Sequence, residues 1–518
     1  MKRYRPKVMH FAKRRRSAGR RTVISWCLGV LLLIIIISIC VWIFVTMSYN
    51  PDAPLPAQTN ADITPLPTQT IDDNTPLPTD SVTQSPAPSD PEPQTGTEHT
   101  PTAYSAYIDV VQNRGISYID ISKGYHVDIT QEIRFTNNTG ASLWELYIRL
   151  YPNAVSPNCA VISELAVDGT QSYYESLQDG ELIKIPLTDE LLAGERTTIY
   201  IKLRVDVPET NGRFGLCGYG IMLGGILPQM AGFKDGSWQL AGATDFGDPF
   251  YWQSADYSVT LRSNSKLLVA ASAEEYASRE EDGYTVRHYR KQGISEFAIA
   301  LCKDFWEYEF EVSGQKVVLF TNGYNAEINQ VKNICEGALS YYIDEFGPLP
   351  YERLCIVRNS MDGAMEYPGL IMLSSRFWFP KYRSQAELTL SHELAHQFFG
   401  CAVEVDQYND AYIDEGLATL CSYLYVKKLH GEDYMRRAFD IEVSETDTDG
   451  VYHAALNEFG SRSEYEDAVY GRASMRLMAR LDYLGEDKLL ARLRSIYVLY
   501  CGKHITPAEF EQIVFTTR

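Results

Sequence analysis

The stretch LTLSHELAHQFFG, residues 388–400, contains two of the chain's nine histidines, four residues apart. On a helix, residues four apart lie on one face, so His392 and His396 can direct imidazole nitrogens at one ion. Glu393 lies beside them, where a carboxylate can accept a proton from a water molecule that the ion activates. This H-E-x-x-H pattern predicts a hydrolytic zinc site. The alternative is that the same three polar residues lie on a solvated helix face and bind no metal.

A catalytic zinc site takes three protein ligands and keeps one position open. Glu415 follows His396 after 18 intervening residues, where DEGLATLCSYLYVKKLHG continues a second helical pattern. That interval is long enough for a turn and the start of a second helix packed beside the first. We therefore expect Glu415 to be the third ligand, although taken alone it would be an acid near a helix start, where the helix dipole favours it.

Two further stretches contain a carboxylate and a phenol that gain their significance from a family resemblance. GAMEYPG, residues 363–369, contains Glu366, whose carboxylate can bind an ammonium group by a charge-assisted hydrogen bond. AVYGRASMRL contains Tyr470, whose phenol can stabilise a developing oxyanion. Each also has an ordinary interpretation, because Tyr470 is one of 35 tyrosines and an acid on a strand is common.

Together these motifs resemble the gluzincin aminopeptidases, the family of aminopeptidase N and leukotriene hydrolase. HELAH followed by the glutamate of DEGLA after 18 residues is similar to the family's zinc-binding motif. GAMEYPG is similar to its G-x-M-E-N motif, and Tyr470 lies 55 residues past Glu415, as does the family's oxyanion-binding tyrosine. The three linked motifs make the resemblance specific.

The resemblance implies a function and a set of site residues. A member of this family hydrolyses the N-terminal residue of peptides with a metal-activated water and one zinc ion per chain. Glu393 would be the general base, Tyr470 the oxyanion donor and Glu366 the group that holds the free α-amino group. The implied zinc ligands are His392, His396 and Glu415, and the implied substrate-binding residues are Gly363, Ala364, Met365 and Glu366.

Three departures from the family pattern affect these expectations. Tyr367 replaces the usual Asn after Glu366, so the family pattern does not predict the adjoining subsite. Asp414 replaces Asn before Glu415 and would either orient a histidine or begin the helix. The sequence ends 48 residues beyond Tyr470, where many members continue into a long helical domain. We therefore expect an open cleft that could admit longer or internal substrates.

Two other functions fit parts of the sequence. A catalytically silent peptide-binding or adhesion ectodomain would keep the fold, but it would not need Glu393 or Tyr470. An endopeptidase of the thermolysin type would need the zinc motif, but an internal peptide bond has no ammonium for Glu366 to hold.

The N-terminal segment has the pattern of a membrane anchor. Residues 1–22 carry ten Lys or Arg and no acid, and residues 23–47 carry no charge. A helix of about 20 apolar residues spans a bilayer, whereas the apolar core of a cleavable signal peptide has only about 7–15. The positive-inside rule then predicts a cytoplasmic tail at 1–22, a transmembrane anchor at 23–47 and the rest of the chain outside the cell.

The remaining chain divides by its composition and periodicity. Residues 48–103 repeat TPLPT and are rich in Pro and Thr, which predicts an extended stalk. Residues 104–311 show alternating runs such as HVDITQEIRF, which predict an antiparallel β domain. Residues 312–518 combine short strands with helical periods, which predicts a thermolysin-like mixed α/β zinc peptidase domain. The predicted fold class is multidomain α+β.

The charge of the chain excludes one class of partner. Beyond residue 22 there are 37 basic and 67 acidic residues, and an acidic body repels the phosphate backbone of nucleic acids. The expected partners are peptides with a free N-terminus and, through residues 23–47, the membrane. The pairing of the ten widely spaced cysteines, glycosylation of the stalk and the oligomeric state stay open.

Overall fold

The computed structural model describes residues 111–121, 125–250 and 253–516, all within one compact unit. The expected tail (1–22), anchor (23–47) and stalk (48–103) lie outside the described residues, and these assignments stay predictions. Within the described part, no helix is long and apolar enough to cross a membrane.

The first part of the described chain is rich in β-strands, as the alternating sequences predict. On β2 (His126–Thr136), buried Val127, Ile129 and Ile133 alternate with less buried residues, because successive side chains point to opposite faces of a strand. The other elements of this part are β1 (Val111–Asp120), β3 (Leu143–Arg149), α1 (Pro152–Val155), β4 (Ala160–Val167), β5 (Thr170–Gln171), β6 (Glu175–Leu177), β7 (Leu182–Leu191), β8 (Arg196–Asp206), β9 (Phe214–Cys217), β10 (Gly220–Leu223), β11 (Gln229–Met230), β12 (Phe233–Lys234), β13 (Ser237–Trp238), β14 (Ala255–Asn264), β15 (Leu268–Ala271), β16 (Glu275–Glu281), β17 (Tyr284–Ile294) and β18 (Ile299–Cys302).

The strands of this part form three larger sheets and the β12–β13 hairpin. The largest sheet has the order β16-β17-β14-β1-β2-β8-β4-β5, and the two four-stranded sheets have the orders β15-β18-β10-β9 and β11-β3-β7-β6. Every named pair is antiparallel except β1 with β14, which run parallel. These two strands lie far apart in the chain, so the crossover that a parallel pair requires is available. The predicted antiparallel character is therefore correct apart from this pair.

The second part of the described chain mixes strands and helices, which confirms the predicted α+β class. Its sheet begins with β19 at Trp306, slightly before the expected domain start at residue 312; the domain bounds themselves stay predictions. The elements are β19 (Trp306–Val312), β20 (Gln315–Thr321), α2 (Asn325–Phe346), β21 (Arg353–Asn359), β22 (Ala364–Tyr367), β23 (Leu370–Ser374), α3 (Arg383–His396), β24 (Phe399–Gly400), β25 (Val403–Glu404), α4 (Asp414–His430), α5 (Glu432–Glu442), α6 (Arg462–Glu466), α7 (Ala473–Leu484), α8 (Glu486–Tyr500), β26 (Lys503–His504) and α9 (Pro507–Phe515).

The five-stranded sheet of this part has the order β19-β20-β21-β23-β22. β20, β21 and β23 run parallel, whereas β22 pairs antiparallel with β23 and lies at the edge. α2 ends at Gly347, whose φ of +118° suits glycine. Tyr342 on α2 donates a hydrogen bond to the carbonyl of Ser391 on α3, 3.1 Å away. This packing fixes α3, which carries the H-E-x-x-H motif, relative to the sheet.

Candidate active site

The three expected zinc ligands converge where α3 meets the start of α4. His392 and His396 lie one turn apart on α3, and their Nε2 atoms are 2.9 Å apart. Glu415, the second residue of α4, places Oε2 3.0 Å from His392 Nε2 and 3.2 Å from His396 Nε2. Every residue of α4 from Asp414 to Val426 is buried, so the helix is covered on all its faces and the core fixes the position of the carboxylate.

The donor atoms of these ligands fit a zinc ion. His396 Nδ1 lies 3.2 Å from the carbonyl oxygen of Phe399, and because a carbonyl only accepts, Nδ1 must carry the proton. The lone pair is then on Nε2, which faces the other two donors. Donors held at about 2.0–2.1 Å around a tetrahedral zinc lie about 3.3 Å apart, close to the separations of the three atoms here. His392, His396 and Glu415 thus form a group that could hold a metal ion.

The electrostatics of the site also favour a cation. Burial lowers the pKa of His392, which keeps its imidazole neutral. Burial would likewise lower the pKa of His396, but the carboxylates of Glu366 and Glu415 raise it well above its usual value. Burial would raise the pKa of Glu415, but His396 and His392 lower it below the usual range. The surroundings therefore stabilise an ionised Glu415 and a positive charge beside His396.

Glu393 is one residue beyond the first histidine and is buried, with 6% of its surface exposed. Its Oε2 atom has no hydrogen-bond partner among the described residues. Burial, and then the nearby carboxylate of Glu366, raise the pKa of Glu393 well above its usual value. A carboxylate in this position is a stronger base than one in water, which suits the expected general base.

Glu366 lies on the edge strand β22, and its side chain is buried. Burial raises the pKa of Glu366 to about 7; His396 opposes this increase, whereas Asp248 and Glu415 add to it. Gln397, immediately after α3, connects this strand to the zinc motif. Its Nε2 donates to the carbonyl of Tyr367 at 3.1 Å, and its Oε1 accepts from the N–H of Gly369 at 2.9 Å.

The residues around Glu366 differ in whether they can face a substrate. Gly363 has a φ of +101° and precedes β22, while Ala364 is partly buried. Met365 and Tyr367 point to the opposite face of the strand from Glu366 and are buried in a hydrophobic cluster. The ring of Tyr367 approaches Gly224 so closely that a Cβ there would lie 1.9 Å from its hydroxyl. Tyr367 therefore fills the core and does not face the site.

Tyr470 lies beside the zinc motif on a π-helical turn, Asp467–Arg472. Its ring centroid is 6.2 Å from that of His392. Burial raises the pKa of Tyr470 well above its usual value, and Glu415 adds to this increase. The phenol is therefore protonated at neutral pH and can donate a hydrogen bond, as the expected oxyanion donor must. Tyr470 and the histidines of the zinc motif therefore lie close together in the fold.

Asp414 does not orient a histidine, which was one of its two expected roles. It is fully buried as the first residue of α4, and its Oδ2 accepts a hydrogen bond from Gln407 Nε2 at 3.1 Å. The same Nε2 donates to Glu366 Oε1 at 2.9 Å. Sequence reasoning missed Gln407, because a single amide in the loop before α4 belongs to no motif or period.

The β-rich part also acts on the site, through a partly buried ion pair that the sequence did not indicate. Arg213 Nη1 donates hydrogen bonds to Asp248 Oδ1 and, at 3.1 Å, to the sulfur of Met365. The charge of Asp248 raises the pKa of Glu366, Glu393 and Tyr470. These residues lie more than 100 positions from the zinc motif, so only the tertiary packing brings them to the site.

Comparisons with known proteins point to one family. Residues 327–497 match the model of the Peptidase family M1 domain. Human endoplasmic reticulum aminopeptidase 1 is 25% identical over 287 residues, which cover 50% of this chain and 29% of that protein. Aminopeptidase N of Lactobacillus delbrueckii subsp. lactis is 22% identical over 378 residues, which cover 66% of this chain and 42% of that protein. The chain thus spans less than half the length of either relative.

The fold is similar to that of a solved bacterial protein. The M1 zinc metallopeptidase from Deinococcus radiodurans matches with a TM-score of 0.59 and 15% identity, over 78% of this chain and 90% of that one. A mutant of that protein, solved with a bound Tyr-Ser-Ala substrate, matches with a TM-score of 0.57 and 14% identity. At these identities the likeness shows the shared fold.

Proposed function

We propose that this chain is a member of peptidase family M1 and a zinc-dependent aminopeptidase that removes the N-terminal residue of peptides. The observation that carries this proposal is the convergence of two Nε2 atoms and a carboxylate oxygen within 2.9–3.2 Å of one another. The carboxyl group of Glu393, the expected base, and the protonated phenol of Tyr470, the expected oxyanion donor, lie beside them. When bound, a zinc ion would polarise the scissile carbonyl and make a water molecule acidic near neutral pH.

Different residues transfer the protons and stabilise the developing charge. Glu393 accepts a proton from the attacking water and passes it to the leaving amine. Tyr470 donates a hydrogen bond to the carbonyl oxygen as negative charge develops there. The unpartnered Glu393 Oε2 supports this assignment, because a buried carboxylate oxygen without a donor is costly unless a substrate or a water molecule satisfies it.

Glu366 supports the exopeptidase assignment over the endopeptidase one. A carboxylate buried on the edge strand β22 can bind the ammonium group of a substrate by a charge-assisted hydrogen bond. The strand edge can pair with the backbone of an extended peptide. The Deinococcus protein bound to a Tyr-Ser-Ala substrate provides a parallel for peptides as the substrate class. We therefore propose that the side chain of Glu366 and the backbone of Gly363, Ala364 and Met365 meet the N-terminal residue of the substrate.

The test compares a free amine with a blocked amine. The full chain, purified in detergent, should hydrolyse fluorogenic aminoacyl amides, and N-acetylated versions of the same amides should be inert. A chelator should abolish hydrolysis, and added zinc should restore it. Equal cleavage of the free and acetylated amides would reject the exopeptidase assignment. Hydrolysis that persists in metal-free protein would reject the zinc mechanism.

We further propose that the protein is a single-pass membrane protein with a cytoplasmic N-terminus and an extracellular catalytic part. The support is the basic segment 1–22 followed by the uncharged segment 23–47. The full chain should stay in the membrane pellet after an alkaline carbonate wash, and protease added to intact cells should digest the catalytic part. Recovery of the full chain in the soluble fraction would reject this arrangement.

A further inference from the structure

Gln407 joins two acids that lie far apart in the chain. It is in the loop between β25 and α4, and only 3% of its surface is exposed. Its Nε2 is 2.9 Å from Glu366 Oε1 on β22 and 3.1 Å from Asp414 Oδ2 at the start of α4. An amide nitrogen carries two hydrogens, so this one group can donate to both carboxylates.

We propose that Gln407 is a positioning residue for the amine-binding carboxylate, and this inference rests on the proposed aminopeptidase function. A carboxylate has two oxygens, so a hydrogen bond that holds Glu366 Oε1 leaves Oε2 for the ammonium group of the substrate. Because the same amide also holds Asp414, it sets the position of Glu366 relative to α4. Gln407 thereby fixes the distance between the ammonium site and Glu415, next to Asp414 in the chain.

The neutral charge of Gln407 is the property that suits it to this role. Glu366 and Asp414 are two buried acids that accept hydrogen bonds from the same amide nitrogen, so one neutral donor holds both side chains in place. A lysine or arginine at position 407 would join them equally well, but its charge would compete with the ammonium of the substrate for Glu366. An amide supplies the donor and leaves the negative charge of Glu366 for the substrate.

Glu366, His396 and Asp414 could also be considered a second metal site, since donor atoms of these three residues lie within 4.8 Å of one another. Gln407 argues against this interpretation. Its N–H groups already point at the oxygens of two of the three residues, and an amide nitrogen with two hydrogens is no ligand for a cation. The geometry favours a donor bridge between the two acids.

The test removes the donor while keeping the shape of the side chain. In metal-loaded full chain, Gln407→Met should lower kcat/KM for an aminoacyl amide about 10-fold or more, through loss of a hydrogen bond to a charged group. The desamino analogue of the same amide has no ammonium to bind, so its kcat/KM should not change and the ratio between the two substrates should fall. Gln407→Glu, which replaces the donor with a third carboxylate, should lower the ratio at least as much. Zinc content should stay at one ion per chain.

Gln330→Met is the matched control for a structural effect. Gln330 is a buried glutamine on α2 whose Nε2 donates to the carbonyls of Phe377 and Phe379 at 2.7 and 3.0 Å. Its loss should lower the melting temperature and leave the substrate ratio unchanged. If Gln407→Met or Gln407→Glu keeps the wild-type ratio, or if Gln330→Met lowers it equally, Gln407 has no specific positioning role.

A binding measurement separates this inference from the proposed function. L-leucine carries the free ammonium, and its binding to wild-type and Gln407→Met protein can be followed by calorimetry. Wild-type protein that binds leucine in a Gln407-dependent manner without hydrolysing any amide would overturn the peptidase function and keep the positioning role. If wild-type protein hydrolyses amides, and Gln407→Met has the wild-type substrate ratio and leucine affinity, the positioning role is overturned and the peptidase function is kept. If wild-type protein neither hydrolyses amides nor binds leucine, both proposals fail.

Discussion

His396 donates its Nδ1 proton to the backbone carbonyl of Phe399, 3.2 Å away. This bond turns Nε2 toward the neighbouring imidazole and the carboxylate of Glu415. The space beside it is restricted, since a Cβ at Gly400 would lie 3.1 Å from the same Nδ1. The acceptor is a backbone atom at the start of β24, so the fold itself, and no replaceable side chain, orients this ligand.

Removal of the carboxylate ligand should abolish the stabilisation of the folded chain by zinc. An ion that binds only the folded state stabilises it by about 4 kcal/mol when free zinc is 1,000-fold above its Kd. Calorimetry should show a zinc-dependent rise in the melting temperature of chelator-treated wild-type protein, and Glu415→Ala should lose this rise. Glu432→Ala, which removes an exposed acid from the first turn of α5, is the control and should keep it. A normal rise in Glu415→Ala would contradict the ligand assignment.

Replacement of the general base should stop the chemistry but leave the metal bound. Glu393→Gln keeps the shape of the side chain and removes the proton acceptor, so kcat should fall by about 10²–10⁴-fold. Elemental analysis should still find one zinc per chain. Glu387→Gln changes a buried acid on the same helix, bonded to Arg383 and His430 at 2.8 Å, and should retain activity. Wild-type kcat in Glu393→Gln would show that another group is the base.

Loss of the phenol hydroxyl should affect the transition state more than the bound substrate. Tyr470→Phe should lower kcat about 10²–10³-fold with little change in KM, because the oxygen that it stabilises is charged only during the reaction. Tyr423→Phe on α4 is the control; its ring packs 5.1 Å from Phe439. Steady-state kinetics on one aminoacyl amide measures both variants. An unchanged kcat in Tyr470→Phe would leave the tyrosine a packing role.

Glu296 should make the stability of the fold depend on pH. Burial raises the pKa of this carboxyl to about 8 in the folded chain, from an ordinary value of 4.5. Between these values the unfolded chain has lost a proton that the folded chain keeps. The contribution of Glu296 to the free energy of unfolding is therefore at its maximum below about pH 4.5. It declines as the pH rises to about 8, by up to about 1.4 kcal/mol per pH unit.

The variant Glu296→Gln removes this penalty. Its amide oxygen can still accept the hydrogen bond that the N–H of Gly225 donates to Glu296 Oε1. Urea unfolding at pH 5 and pH 8 should therefore show that the variant gains stability relative to wild type as the pH rises. Glu311→Gln, at an exposed position of β19, should follow the wild-type course. A constant difference between Glu296→Gln and wild type at both pH values would show that Glu296 is ionised in the folded chain.

The types of the elements and the metal-binding motif could be predicted from the sequence, because both are local properties. Alternating side chains identify strands such as β2, and a four-residue spacing puts His392 and His396 on one helix face whatever surrounds them. The expectation that Glu415 begins a second helix beside the first is also correct. The roles of Glu393, Glu366 and Tyr470 stay predictions, although all three side chains lie near the histidines of the zinc motif.

Contacts between distant segments were decided only by the tertiary structure. The burial of Tyr367, the pairing of Asp414 with Gln407 and the approach of Arg213 and Asp248 to the site each depend on how separate elements pack. Sequence periodicity records which face of an element is apolar, but it does not record which other element covers that face. The sequence by itself therefore determined the reactive groups, and the packing of the β-rich part, the edge strand and the two helices decided which polar groups surround them.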